Sequence, residues 1–470
     1  MRSIKFVHYF ILLLLMAVSH QLFSQSEKKV LEFETFISIV KQHHPMFRQA
    51  ELQITVGEAN LLMARGSFDP QLYGDLNQKY FDGAQYYSLL DAGLKIPTWF
   101  GIELKGGFEQ NAGVYLDPHY TTPDAGLAYA GISLPLGKGL LIDERRTELQ
   151  KAKIFKESTI ARQQELVNEL VLEAGKAYWN WFEKYNSLKV HENAYDRALI
   201  RYEAIVESAD LGDRPAIDSI EASMQLQQRI FNLQQARAEV QSSRNTLSVF
   251  LWNEGLIPME ISETTLPVDY LLLPLSERKA PLAVDETVIE KHPIIRQTQM
   301  QIEIYQAELR WKKEQLKPEI DLKYNALNTP VGNNPFAAYS INNYKWGVDL
   351  AFPVLLRKER GGVQLANLKV SDYQLELASK RASILAKAKN ALLDWQMTTD
   401  QLVTVERLLS DSQKLLEGEQ DMFENGESSL FMINAREMTA FSSELKVIET
   451  KSKNQKSRLY FDYSLGQLAN

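Results

Sequence analysis

The chain has 470 residues, 45% of them apolar and 24% charged, a balance that excludes collagen-like, low-complexity and wholly disordered proteins. It contains no cysteine, which removes disulfides, thiolate metal sites, cysteine nucleophiles and the lipidated cysteine that anchors some envelope proteins. With 52 Lys and Arg against 60 Asp and Glu the net charge is -8 and there is no basic stripe, so nucleic acid is not an expected partner.

Residues 1–24 read as a secretory signal: Arg2 and Lys5 form a charged start, Phe10 to Val18 an apolar run, and Ser24 a small residue at the cleavage point. The run is too short for a transmembrane helix, which needs about 17 to 25 apolar residues. The next best segment, Tyr270 to Leu275, is interrupted by Pro274. A mature chain that crosses a membrane must therefore do so as strands.

An internal repeat organises the rest. At an offset of 248, His44, Pro45, Arg48, Gln49, Gln53, Ile54, Ala59, Leu61, Pro70 and Asn77 recur as His292, Pro293, Arg296, Gln297, Gln301, Ile302, Ala307, Leu309, Pro318 and Asn325. These are 10 identities in 34 ungapped positions, where unrelated sequences give about two. Beyond Arg146 and Arg360 the register returns at an offset of 214, pairing Trp181 with Trp395 and Gly212 with Gly426, so repeat 1 carries 34 extra residues (248 - 214) between Asn77 and Arg146.

In chain order, repeat 1 (25–252) reads as a helix, strands over about 71–136, a long helix over about 146–209, a tip at about 210–214, and a helix to about 252. A linker follows at 253–284, where Pro258, Pro267, Pro274 and Pro281 forbid continuous helix. Repeat 2 (285–470) reads as a helix, strands over about 319–353, a long helix over about 360–424, a tip at about 425–429 and a final helix. A proline-free stretch such as 146–209 makes a rod roughly 96 Å long. It carries two apolar seams: Leu166, Leu170, Ala174, Ala177, Trp181, Tyr185 onward, and Val167, Val171, Tyr178, Phe182. Two seams suit a ring of helices, and a single rod with a loose core face also fits them. In a lone chain the seams are expected to expose Trp181, Tyr185, Tyr195 and Tyr202.

After Pro70 and Pro318 the period changes to two. Ile320, Leu322, Tyr324 and Ala326 alternate with charged or polar residues, as do Tyr344, Trp346, Val348 and Leu350. Runs of about ten residues are long enough for a membrane-crossing strand, and a soluble half-buried strand shows the same alternation. Residues 71–136 hold four such runs, about 71–81, 88–96, 101–109 and 127–136, which with repeat 2 predicts six strands.

Motifs for bond chemistry are absent, and no catalytic, cofactor or metal residue is expected. Gly137-Lys138-Gly139 has the wrong spacing from Gly131 for a phosphate loop, and Gly139 stands where Ser or Thr would hold magnesium. The run from Asp421 fails as a calcium loop because its twelfth position is Met432. His44 and His292 precede prolines, where a helix-start role outweighs a ligand role.

Two helix, strand, long-helix repeats behind a signal peptide resemble the TolC family of outer-membrane efflux proteins. The most specific local parts are Gly212 and Gly426 at the helix-pair tips, and the passages Leu134-Pro135-Leu136 to Arg146 and Phe352-Pro353-Val354 to Arg360. The resemblance implies an α+β membrane protein: an internally duplicated, long α-helical barrel plus a transmembrane β-barrel, closed only in a homotrimer. It implies an outer-membrane location with a large periplasmic extension. The implied role is the exit duct of a tripartite efflux pump or a type I secretion system, with a periplasmic adaptor and an inner-membrane transporter as partners, contact with outer-membrane lipid and no enzymatic activity. The family's usual repeat contributes two strands, so six per chain would be a departure, giving about eighteen per trimer. A structural coiled-coil protein of the envelope is the alternative; it accounts for the rods but not for the period-two segments.

At the tips, Gly212, Asp213, Gly426 and Glu427 are the expected adaptor-docking residues. Family members often place acidic side chains soon after the second tip, where this chain has Met432, Asn434 and Ala435. Asp218 and Glu221, three apart on one helix face, are the candidate lining of the periplasmic aperture instead.

Overall fold

The computed structural model describes residues 29–273, 280–330, 334 and 339–469; the signal expected at 1–24 lies outside them, as does Pro274. In chain order the described elements are β1 (Lys29–Val30), α1 (Phe33–His43), α2 (Pro45–Gly66), β2 (Gln71–Phe81), β3 (Ala84–Pro97), β4 (Glu103–Ala112) and β5 (Leu127–Pro135). Then come α3 (Glu144–Asp210), α4 (Ala216–Ser248), and the short strands β6 (Trp252–Asn253), β7 (Ile257–Pro258) and β8 (Thr265–Leu266). The remainder is α5 (Glu286–Ile289), α6 (Pro293–Glu314), β9 (Glu319–Asn328), β10 (Tyr344–Ala351), α7 (Arg357–Glu424) and α8 (Leu430–Ser464). The chain forms two compact units. Of the described residues, one holds 29–49, 166–273, 280–285 and 385–469; the other holds 50–165, 286–330, 334 and 339–384.

The repeated His-Pro pairs start helices. A residue before proline is pushed out of the helical region, and both His44 (φ -67°, ψ 133°) and His292 (φ -60°, ψ 133°) are extended. Each imidazole Nδ1 accepts the backbone N–H two residues on, from Met46 at 3.1 Å and from Ile294 at 3.2 Å, satisfying one of the helix's orphan donors. Pro293 then occupies the first turn of α6, where a missing N–H costs nothing.

In the second unit, β2, β3, β4, β5, β9 and β10 form one sheet in the order β10-β9-β5-β4-β3-β2, antiparallel at every pairing. All six alternating runs therefore lie in a single sheet. The turn between β3 and β4 is short, closed by the Thr98 N–H to Ile102 carbonyl bond at 3.0 Å. The register puts Leu72, Leu94, Leu104, Ile132, Leu322, Val348 and their like on one face, and Leu72, Leu104, Ile132 and Val348 there are exposed to the outside of the chain.

The first unit has an aromatic core. Phe36, Tyr178, Trp181 and Phe182 are fully buried, and the Tyr178 hydroxyl donates to the Leu31 carbonyl at 2.7 Å. This corrects the expectation that a lone chain would expose Trp181. The aromatic seam of α3 is covered within the chain: Phe33 and Phe36 of α1 stack on the Tyr178–Trp179 pair, and the Ser452 hydroxyl of α8 donates to the Trp179 carbonyl at 2.9 Å. Apolar exposure falls instead on α4, where Ile217, Ile220, Met224 and Phe231 are each more than 60% exposed at helical spacing.

Candidate functional site

Two regions stand out, the paired helix tips of the first unit and the polar face of the sheet in the second. The tips are alike in build. After α3 the N–H of Gly212 donates to Ala209 and that of Asp213 to Ser208; after α7, Gly426 donates to Phe423 and Glu427 to Met422. This crossed pattern is the Schellman motif, and it requires the left-handed backbone found at Gly212 (φ 83°) and Gly426 (φ 77°). The next helix begins at once. Pro215 precedes α4, and the Ser429 hydroxyl caps α8 by accepting from the Met432 N–H at 3.3 Å. Gly212, Asp213, Gly426 and Glu427 are all exposed.

The two tips pack against each other. Ile205, Ala222 and Leu430 form a buried cluster joined by Tyr202 and Phe423, and the Arg214 guanidinium lies over the Phe423 ring at 4.7 Å. Asp218 and Glu221 are half-buried but face different partners. Asp218 approaches Arg214 of its own turn at 3.7 Å, whereas Glu221 accepts from Asn434 of α8 at 3.1 Å. The chain of contacts continues: Asn434 accepts from Arg201 at 3.1 Å, and Arg201 pairs with Glu437 at 2.6 Å.

Glu437 is 4% exposed and serves more than one cation, since Arg197 also approaches it at 3.7 Å. Arg229 of α4, equally buried, lies over the Phe441 ring at 4.4 Å and keeps its Nη1 without a hydrogen-bond acceptor. Burial holds the Arg229 guanidinium below its usual range, with Glu437 working against that shift. Burial also lowers the His191 imidazole beside it, and the Arg229 charge adds to the effect. Arg201 and Glu437 lie 236 residues apart, at positions the repeat does not align, so no sequence signal marked this pair.

On the sheet, the face opposite the apolar one is mainly polar, with Leu89, Leu127 and Leu327 as its leucines. Asp75, Asp91 and Glu109 sit side by side on β2, β3 and β4; beyond an intervening row, Gln71, Lys95 and Lys105 form another that continues through Gly131 and Asn325 to Lys345. Glu103 gathers Lys95 at 3.1 Å, Lys105 at 3.5 Å and Arg145 at 3.7 Å, and Lys323 pairs with Asp349. Such a face suits contact with water, not a packed core. Both edges of the sheet, β2 and β10, keep unpaired backbone groups. Among the described residues no cluster of His, Cys, Asp and Glu could hold a metal ion, and no helix is long and apolar enough to cross a membrane.

No protein-family model matches the chain, and no curated protein is similar to it in sequence. Solved structures do share its fold. The Campylobacter jejuni CmeC outer membrane channel is 12% identical, with a TM-score of 0.67 over 93% of this chain and 85% of that one. The open state of the Neisseria gonorrhoeae MtrE outer membrane channel is 15% identical, with a TM-score of 0.68 over 93% and 89%. The outer-membrane channel OprN is 16% identical, with a TM-score of 0.69 over 93% and 91%. At these identities the likeness is one of fold, and it agrees with the TolC-like resemblance carried by the sequence.

Proposed function

We propose that three copies of this chain close into an outer-membrane channel, the β-sheets joining as a barrel in lipid and the long helices continuing it across the periplasm. The observation that carries this reading is the sheet itself. It has one apolar face, one charged face and two unpaired edges in strands of 8 to 14 residues. Lipid offers no hydrogen-bond partner for a strand edge, so β2 must meet β10 of a neighbouring copy and the sheet must close. The uncovered apolar stripe on α4 supports helix contacts between copies in the same way. A structural coiled-coil protein has no use for such a sheet.

The channel conducts passively, as the exit duct of a tripartite efflux pump or a type I secretion system, and no bond chemistry is assigned to it. An internal duplication accounts for the two matching Schellman tips and for two 22-residue helices, α2 and α6, each beginning at a proline. The exposed turns at Gly212, Asp213, Gly426 and Glu427 offer the docking surface for a periplasmic adaptor that bridges to an inner-membrane transporter. Asp218 and Glu221 line the aperture, and opening it parts the Glu221–Asn434–Arg201–Glu437 chain that ties one tip to the other.

Fractionation of cells expressing the full chain tests this. The protein should pellet with the outer membrane and run on gels as a heat-sensitive trimer. Recovery as a soluble rod would refute the reading.

A further inference from the structure

The surplus hairpin is part of the wall. Strands β3 and β4 fill the middle of the sheet between β2 and β5, with 11 residue pairings on the β2 side and 7 on the β5 side. The hairpin is also rooted at the start of α3. Its turn at Gly101 lies against the Arg146 guanidinium, which donates to the Leu140 carbonyl at 3.2 Å and also to the Gly139 carbonyl. Glu103, at the base of β4, draws in Arg145. Each chain therefore brings six continuous strands to the barrel.

We infer that the barrel is a wide, water-filled mouth for large hydrophilic solutes. The inference rests on the proposed closure by three copies. Eighteen strands about 4.8 Å apart and tilted about 40° close on a ring roughly 36 Å across between backbones, against roughly 24 Å for twelve. A side-chain layer of about 5 Å on the inner wall leaves openings of roughly 26 Å and 14 Å.

The lining keeps that space open and wet. Tyr73, Gly93, Gly107 and Tyr129 form one row across four strands. The two tyrosines lie down over the two glycines, so that their hydroxyls meet and Tyr129 donates to Asp91 at 2.7 Å. A Cβ at Gly93 would come within 2.9 Å of the Tyr73 hydroxyl, and one at Gly107 within 2.7 Å of the Tyr129 hydroxyl. Glycine at both positions, where the backbone of the next strand also comes close, lets these two rings lie flat instead of standing into the lumen. The rows on either side carry Asp75, Asp91 and Glu109, and Gln71, Lys95, Lys105, Asn325 and Lys345, which hold water; the leucines of this face, Leu89, Leu127 and Leu327, lie one to a strand on β3, β5 and β9. The loop at 113–126 is tied to the outer end of β4, where Asn111 donates to the Tyr120 carbonyl at 2.9 Å and receives Thr122, so it forms a rim beyond Glu109.

Polymer exclusion in planar bilayers tests the inference. Polyethylene glycols of graded size are added on the side of that loop, to the wild-type channel and to a variant lacking residues 82–113, in which the loop joins β2 directly to β5. Polymers about 20 Å across should enter the wild-type mouth and lower its current, and the deletion should shift the cut-off down to about 14 Å. If wild-type trimers already exclude polymers above about 14 Å, the wide mouth is wrong while the channel reading stands, and this holds even if the deletion variant does not fold. A light-scattering mass other than three chains would instead overturn the closure, and the width with it.

Discussion

Glu437 gives the sharpest energetic test of the tip region. Its carboxylate is almost wholly buried and is the shared counter-charge of Arg201 at 2.6 Å, Arg197 at 3.7 Å and the buried Arg229. Glu437→Gln keeps the shape and removes the charge, leaving the buried Arg229 and the half-buried Arg201 without this counter-charge. Breaking a buried pair in this way costs about 3 to 5 kcal/mol, and the low end applies because the Arg201 side chain keeps 20% exposure and Arg197 stands half in water. A loss of about 3 kcal/mol corresponds to a roughly 150-fold larger population of the open state, read as faster amide hydrogen exchange over the first turns of α8. Arg229→Met should act in the opposite direction. It removes a cation whose Nη1 has no acceptor and replaces it with an apolar side chain of similar length, which is neutral or stabilising, and in the Glu437→Gln background it should recover part of the loss. An exchange rate that changes less than about threefold in Glu437→Gln would show that the carboxylate is not the counter-charge the geometry makes it.

Trp181→Ala should cost about 3 to 5 kcal/mol, seen as a large drop in thermal midpoint of the detergent-solubilised protein, because the ring is completely buried; a drop under about 1 kcal/mol would mean that the core repacks around the gap. Gly426→Ala and Gly418→Ala should have opposite signs: the first forces a Cβ into a φ of 77° at about 1 to 2 kcal/mol, while the second, in the body of α7 with open space around it, should gain up to about 1 kcal/mol. Equal effects in melting experiments would contradict the tip geometry. Burial holds the His44 and His191 imidazoles below their ordinary range, so both fold neutral. Such a group contributes stability that is present above its unfolded value of about 6.5 and lost as pH falls through the folded value. The midpoint should therefore fall between about pH 7.5 and about pH 5, and His44→Asn, which can still accept the Met46 N–H, should reduce that fall; an unchanged pH slope in this variant would remove His44 from the account.

The strands were the most legible part of the sequence. Alternation in residues 71–136 and 319–353 marks all six because one face must be apolar and the other wet, a constraint that acts on every residue of the sheet. Helix starts at His44-Pro45 and His292-Pro293 were equally readable, since proline fixes the backbone locally. Burial of the α3 aromatics was not. The seam containing Trp181 shows that something packs there, but whether α1 and α8 of the same chain or a second copy supplies the cover depends on contacts more than a hundred residues distant. The same limit hid the Arg201–Glu437 pair and the turn of Glu221 toward Asn434: helix periodicity places a charge on a face, and only the neighbouring helix decides what it meets.

Ionic current through single molecules in a planar lipid bilayer addresses the central claim most directly. Purified full-length chain, added at low concentration, should insert and give discrete, uniform conductance steps, each from one three-copy assembly. Protein that is folded and trimeric yet produces no steps, or only irregular leakage, would contradict the proposal that this sheet closes into a channel.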